Sequence, residues 1–238
     1  MLETDIKFRY DSPVVEFENR LTFGDKHTLL RAEFDSTLFA PTYKCETQFG
    51  YVERNCFHRD KSDIAKFEVC SHKWTDLSEY GMGVSLLSDC KYGVSCDGGK
   101  LGMTLHKSGT HPDARGDNGV SAFRYAIYPH LYALGMATVR EAYRFNYAPV
   151  ATAHRDLVLP FALKSCGTVV METVKYGEDD GIVVRLYEAM GATSGVTLVS
   201  ENREIIACNI LEDEGEILGR GQADISFAPF EIKTIKLK

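Results

Sequence analysis

Short apolar runs with the two-residue rhythm of β-strands recur along nearly the whole chain, and they constrain the fold more than any other feature. In the first part they are Val14–Phe17, Thr28–Phe34, Tyr43–Phe49, Ala65–Cys70, Gly83–Leu87, Lys100–Leu105 and Ser121–Tyr128, separated by clusters of Gly, Asp, Asn and Ser. Antiparallel strands joined by turns follow from that spacing. One stretch has helical periodicity: "MATVREAYRFN", Met136 to Asn146, places Val139, Ala142, Tyr143 and Phe145 close to one face and stops ahead of Pro149. A single short helix cannot organise a chain of 238 residues.

After "NYAPVATAHRD" the strand pattern restarts at Leu157–Leu163 and continues through Val169–Val174, Ile182–Glu188, Val196–Val199, Glu204–Ile210 and Ile225–Leu237. The stretch "LEDEGEILGRGQADISFAPF" mixes acids, glycines and a proline, and reads as an exposed loop before the final strand pair. The fold class is therefore all-β with one short helix. A large antiparallel β-sandwich is expected over residues 1–146 and a smaller C-terminal β unit over 147–238, with a soft boundary near 146–156.

Composition narrows the function classes. A formal net charge of −7 opposes nucleic-acid binding, which needs a basic face to meet phosphates. Charges interrupt the N-terminal "MLETDIKFRYDSPV" where a secretory signal needs an apolar core, and no apolar run is long enough to span a bilayer. Neither a membrane association nor export by that route is expected. The seven cysteines, at 45, 56, 70, 90, 96, 166 and 208, contain no CxxC pair and read as reduced thiols of a cytoplasmic protein.

Several motifs fail on inspection. His58-Arg59-Asp60 and His154-Arg155-Asp156 imitate a kinase triplet, but the asparagine needed five positions later is Ala65 in one and Phe161 in the other. Arg115-Gly116-Asp117 reads as a polar turn. There is no HExxH, and His106 and His111 flank a Ser-Gly turn, so no metal site is expected in this chain. "GVSCDG" has one residue too many for a G-x-S-x-G elbow and reads as a turn between strands. Glu68, Asp76, Glu79 and Asp89 fall close together, and two carboxylates can cleave a glycosidic bond; solvated loop acids would show the same spacing.

The longer string "AKFEVCSHKWTDLSEYGMGVSLLSDCKYG" resembles the C-terminal β-domain of family-38 glycoside hydrolases, the retaining zinc-dependent α-mannosidases, especially their cytosolic type. "FGYVER", "FRYAIYPH", "AYRFNYAP", "VVRLYEAMG" and "FAPFEIKTIKL" follow in the family's order, so the resemblance runs from about residue 26 to the end. It implies a galactose-mutarotase-like supersandwich, a cytoplasmic location and an α-mannoside or oligosaccharide substrate. It also implies that the nucleophile and the zinc ligands belong to an N-terminal catalytic domain, the expected partner, with no matching positions here. The chain alone is then expected to be inactive and to hold no cofactor. A homo-oligomer is compatible with the family.

Within that resemblance, the rim of the sugar site is expected to draw on Asp89, Lys91, Tyr92 and Lys107, which offer an acceptor, cations and an aromatic platform near strand ends. "HKWTDLSE" is expected to be a connection anchored by a buried Trp74, with Asp76 and Ser78 bonding the loop's own backbone. The sequence departs from the family at "MTLHKSG", where Lys107 stands near a common arginine and lacks its planar fork, and at "RNCF", where a histidine is lost. A stand-alone carbohydrate-binding or assembly module derived from such an enzyme is the alternative reading, and a nonfunctional truncated product a third.

Overall fold

The computed structural model describes residues 1–57, 59–151, 153, 159–178 and 180–238. His58, the triplet His154-Arg155-Asp156, the first two residues of the strand expected from Leu157 and most of the end of the expected boundary segment lie outside the described residues. The chain divides into two compact units, Met1–Thr47 with Tyr51–Pro149 and Gln48–Gly50 with Val150–Lys238.

The first unit holds two antiparallel sheets. The larger comprises β1 (Leu2–Phe8), β2 (Val15–Phe23), β4 (Thr42–Thr47), β5 (Gly50–Asn55), β7 (Trp74–Ser78), β8 (Met82–Ser88) and β11 (Gly119–Leu131) in the order β1-β2-β11-β8-β7-β4-β5. The smaller comprises β3 (Leu29–Asp35), β6 (Val69–Cys70), β9 (Gly93–Asp97) and β10 (Lys100–Lys107) in the order β3-β10-β9-β6. Leu21, Tyr43, Leu77 and Leu86 from the first sheet and Val94, Leu101, Met103 and Leu105 from the second form one buried cluster, as a sandwich requires.

Helix α2 (Met136–Asn146) packs on β7, β8 and β11 through Val139, Ala142 and Phe145. Strands β7 and β8 are therefore buried on both faces. This explains why "HKWTDLSE" reads as a connection and is in fact mostly a strand: Trp74, Thr75, Asp76 and Leu77 are all buried, and the expected alternation vanishes. "GVSCDG" is likewise mainly strand β9 rather than a turn. The run expected as a strand over Ala65–Cys70 contributes only β6, because α1 (Lys61–Ala65) precedes it, N-capped by Asp60, whose carboxylate accepts from Asp63 N.

The second unit is one six-stranded sheet of β12 (Phe161–Lys164), β13 (Val169–Tyr176), β14 (Ile182–Glu188), β15 (Ser194–Cys208), β16 (Glu214–Phe227) and β17 (Ile232–Leu237). The order is β12-β15-β17-β14-β13, and β16 pairs with β15. The two strands expected at Val196–Val199 and Glu204–Ile210 are one, broken in register between Val199 and Glu204. The expected loop from Leu211 is corrected more fully: after a turn closed by Asn209 and Asp213, residues 214–227 form β16. Its first half is exposed, so acids and glycines are tolerated there, while Ala223, Ile225 and Phe227 alternate into the core.

Candidate functional site

Glu68, Asp76, Glu79 and Asp89 do not converge on one open cleft; the most elaborate constellation centres on Asp76 of β7, beneath α2. Its Oδ1 accepts from Ser78 Oγ at 2.7 Å, and its Oδ2 accepts from Ser85 Oγ at 2.7 Å and lies 2.8 Å from His130 Nε2. Ser85 Oγ is 3.1 Å from Thr138 Oγ1 of α2, and Ser78 Oγ accepts from Leu134 N. β7, β8, β11 and the start of α2 are thus joined through one carboxylate. Asp76 and Ser78 bond neighbouring elements, not a loop backbone of their own.

Gly83 makes the arrangement possible. A Cβ there would lie 2.4 Å from His130 Cε1 and 2.6 Å from Ser78 Cβ. Burial disfavours a charged imidazole, but the hydrogen bond and charge of Asp76 outweigh it and hold His130 above the ordinary histidine value. The network borders a cavity of about 570 Å³ walled by Met82, Tyr128, Pro129 and Leu131, with His130 and Thr138 on its polar side. His130, Ser85 and Thr138 were not singled out by sequence reasoning; His130 closes the block "FRYAIYPH", which was the available signal.

The residues expected at a sugar rim are placed as follows. Asp89, Lys91 and Tyr92 share the turn between β8 and β9, whereas Lys107 ends β10 opposite Leu29 of β3. Asp89 accepts from Arg124 N at 3.1 Å and from Arg124 Nε at 3.2 Å. Arg124 in turn stacks over the Phe145 ring and donates to Phe145 O. Lys91 Nζ sits 4.6 Å above the Phe123 ring, and Tyr92 meets His72 edge-on at 5.1 Å. Trp74 is buried against Tyr51.

Of the other acids, Glu79 accepts from Phe39 N. Glu68 belongs to a polar plate on the smaller sheet. Arg31 Nη1 donates to Glu68 at 2.7 Å and to Thr104 Oγ1 at 2.9 Å, Arg31 Nη2 donates to Ser95 Oγ at 2.5 Å, and Thr104 donates to Glu68. Gly102 lies under this guanidinium: a Cβ would come within 2.4 Å of Arg31 Nη2.

In the second unit Glu188 is wholly buried, and its carboxylate accepts from the backbone N–H groups of Met190, Gly191, Ala192 and Phe230 at 2.7–3.0 Å. Burial pushes its pKa up, but the Phe230, Met190 and Ala192 amides prevail and hold it below the usual glutamate value. The carboxylate fastens two loops. It faces no second acid among these contacts.

Among the described residues no three His, Cys, Asp or Glu side chains are grouped to hold a metal ion. All seven cysteines are free thiols. No helix among the described residues is long and apolar enough to cross a membrane.

Comparison with known proteins gives this architecture a family. Residues 1–115 match the profile of the glycosyl hydrolases family 38 C-terminal domain, and residues 168–235 that of the family 38 C-terminal beta sandwich domain. Alpha-mannosidase G of Dictyostelium discoideum is 36% identical over 245 residues, which cover 95% of this chain and 22% of that protein. Alpha-mannosidase 2C1 of Homo sapiens is 32% identical over 252 residues, covering 99% of this chain and 24% of that protein. The chain therefore spans about a quarter or less of these relatives. The fold is shared with the crystal structure of an alpha-mannosidase from Enterococcus faecalis V583, at a TM-score of 0.84 and 18% identity, over 100% of this chain and 29% of that one. A second Enterococcus faecalis structure, a protein in glycosyl hydrolase family 38, aligns over 100% of this chain and 30% of its own, with a TM-score of 0.80 and 19% identity. On these grounds the chain belongs to glycosyl hydrolase family 38, as its C-terminal domains.

Proposed function

We propose that this chain is the C-terminal portion of a retaining α-mannosidase that removes terminal α-mannosyl residues, and that it packs on, and helps complete the site of, a zinc-dependent catalytic domain outside this chain. The observation that carries the reading is the span of the likeness: proteins named alpha-mannosidase match nearly all of this chain with 22–24% of their own length. Their remaining three quarters have room for the chemistry.

The local geometry supports this division of labour. A retaining glycosidase needs two carboxyl groups about 5–5.5 Å apart on either side of the bond to be cleaved. Here Asp76, Asp89, Glu68 and Glu79 each serve a different set of donors. Zinc does not fit the described side chains, and no step is assigned to it in this chain. The apolar rim formed by Met82, paired with Leu131, and by Tyr80 and Tyr132 supports docking against the catalytic domain. The seven free thiols support a cytoplasmic location.

The test is hydrolysis of an aryl α-mannoside by the purified 238-residue chain with added zinc. No turnover is expected from the chain alone, and turnover is expected once the catalytic portion is supplied. Robust hydrolysis by the chain alone, abolished by changing Glu68, Asp76, Glu79 or Asp89, would overturn the proposal. Tight glycan binding by the chain without any such rescue would favour the stand-alone binding module.

A further inference from the structure

Two of the seven thiols are placed for a reaction with each other. Cys56 directly follows β5 at the edge of the larger sheet, and Cys96 lies on β9 of the smaller one. Both are buried in the sandwich core, with their sulfurs 3.7 Å apart. Gly98 N donates to Cys56 O at 2.8 Å, so the two backbones are already joined where a covalent link would form. A disulfide requires the sulfurs to close to about 2.05 Å.

A pocket reaches the Cys96 side of this pair. A polar pocket of about 90 Å³ is lined by Cys96 together with Tyr43, Arg54, Asn55, Asp63 and Lys66. The Arg54 Nε is buried there without a hydrogen-bond partner. Such a pocket suits a small polar oxidant better than a bulky one.

We propose that Cys56 and Cys96 are an oxidisable dithiol, and that a hydroperoxide entering the Arg54–Lys66 pocket converts them into a disulfide that staples the two sheets of the sandwich. In the first step a cysteine thiolate attacks the distal peroxide oxygen. The sulfur–oxygen bond forms, the oxygen–oxygen bond breaks, and the leaving oxygen takes a proton as water or alcohol. In the second step the other sulfur attacks the resulting sulfenic acid. The sulfur–sulfur bond forms, and hydroxide departs with the second thiol's proton as water. Two electrons pass from the two sulfurs to the peroxide.

The electrostatics suit this order. Cys96 donates its S–H to Cys56, which lowers the Cys56 pKa and raises that of Cys96. The thiolate is therefore favoured on Cys56, and Cys96 is the thiol that closes the disulfide in the second step. Burial likewise pushes Cys45, in the same core, up to about 12.

The experiment treats the reduced full chain with hydrogen peroxide, quenches it, and counts thiols after unfolding, with peptide mapping of the native product. Expected is a joined peptide pair containing Cys56 and Cys96, lighter by about 2 Da than the two separate peptides for the hydrogens removed. Cys56→Ser and Cys96→Ser should each abolish the joined pair, whereas Cys45→Ser should retain it. Mapping the wild-type chain keeps the test valid if a serine variant fails to fold. Recovery of Cys56 and Cys96 as thiols, under peroxide sufficient to oxidise the exposed Cys70 and Cys90, would overturn the proposal. So would a joined pair involving another cysteine.

Discussion

Asp76 Oδ2 and His130 Nε2 meet at 2.8 Å beneath α2, with the carboxylate side chain wholly removed from solvent and the imidazole nearly so. A buried anion of this kind is tolerated because three side chains donate or pair to it, and those donors would be stranded without it. Asp76→Ala should therefore destabilise the first unit by about 3–5 kcal/mol. Urea denaturation followed by Trp74 fluorescence reads the change. A loss below about 0.5 kcal/mol would show that the pair is not anchoring the sheet to the helix.

The same pair gives the protein a pH dependence. His130 is held above its ordinary value when folded, so its contribution is complete below the unfolded pKa of about 6.5 and fades as pH rises through the higher folded value. The melting temperature should fall across that alkaline side of 6.5. His130→Gln should flatten this segment of the profile, and an unchanged slope in the variant would contradict the assignment.

Glu188 has the opposite sign. Its folded pKa is depressed, so its stabilisation is present above the unfolded glutamate value of about 4.3 and is lost as pH falls through the folded one. Glu188→Gln keeps the shape but weakens acceptance from four amides, and should cost about 1–3 kcal/mol at neutral pH. Acid titration of the variant's stability should show a shallower decline than the parent's.

At Gly191, φ is +70° and an added Cβ would lie 2.8 Å from Phe230 Cζ. Gly191→Ala should destabilise the second unit by about 1–3 kcal/mol through backbone strain and the ring clash. Removing the ring with Phe230→Ala in the same chain should relieve the clash but not the strain. A double-mutant cycle in thermal denaturation separates the two.

Asp89 and Arg124 predict a modest coupling. The pair is partly exposed, so a double-mutant cycle between Asp89→Ala and Arg124→Ala should give about 1 kcal/mol or less. In the reconstituted enzyme, an Asp89→Ala loss confined to stability, with specific activity per folded molecule unchanged, would assign Asp89 to the Arg124–Phe145 contact alone. Reduced turnover in fully folded protein would place it at the sugar rim as well.

The all-β class, the helix at Met136–Asn146 and many inward-facing runs were legible because half-buried strands and an amphipathic helix leave a period in the sequence. That signal fails where both faces are covered, as at Trp74–Leu77, or where half a strand is free in solvent, as at Glu214–Arg220. The Asp76 constellation was only partly legible. Asp76 and Ser78 stand in one motif, but Ser85, His130 and Thr138 arrive through sheet register and helix packing, which no local pattern records. The quoted motifs identified the family through their order along the chain, a property that survives local misreadings of strand and loop.

Arg31 and Gly102 belong to different strands, yet they occupy one volume. The guanidinium fills the space that a Cβ at 102 would need, so a side chain there has to displace it. Among relatives with this sheet, a residue larger than glycine at position 102 should travel with a shorter or redirected residue at position 31. Glu68, Ser95 and Thr104 would then be released from their shared donor and free to diverge. The smaller sheet's outer face can thus be exchanged as a set, while the sandwich core behind it stays the same.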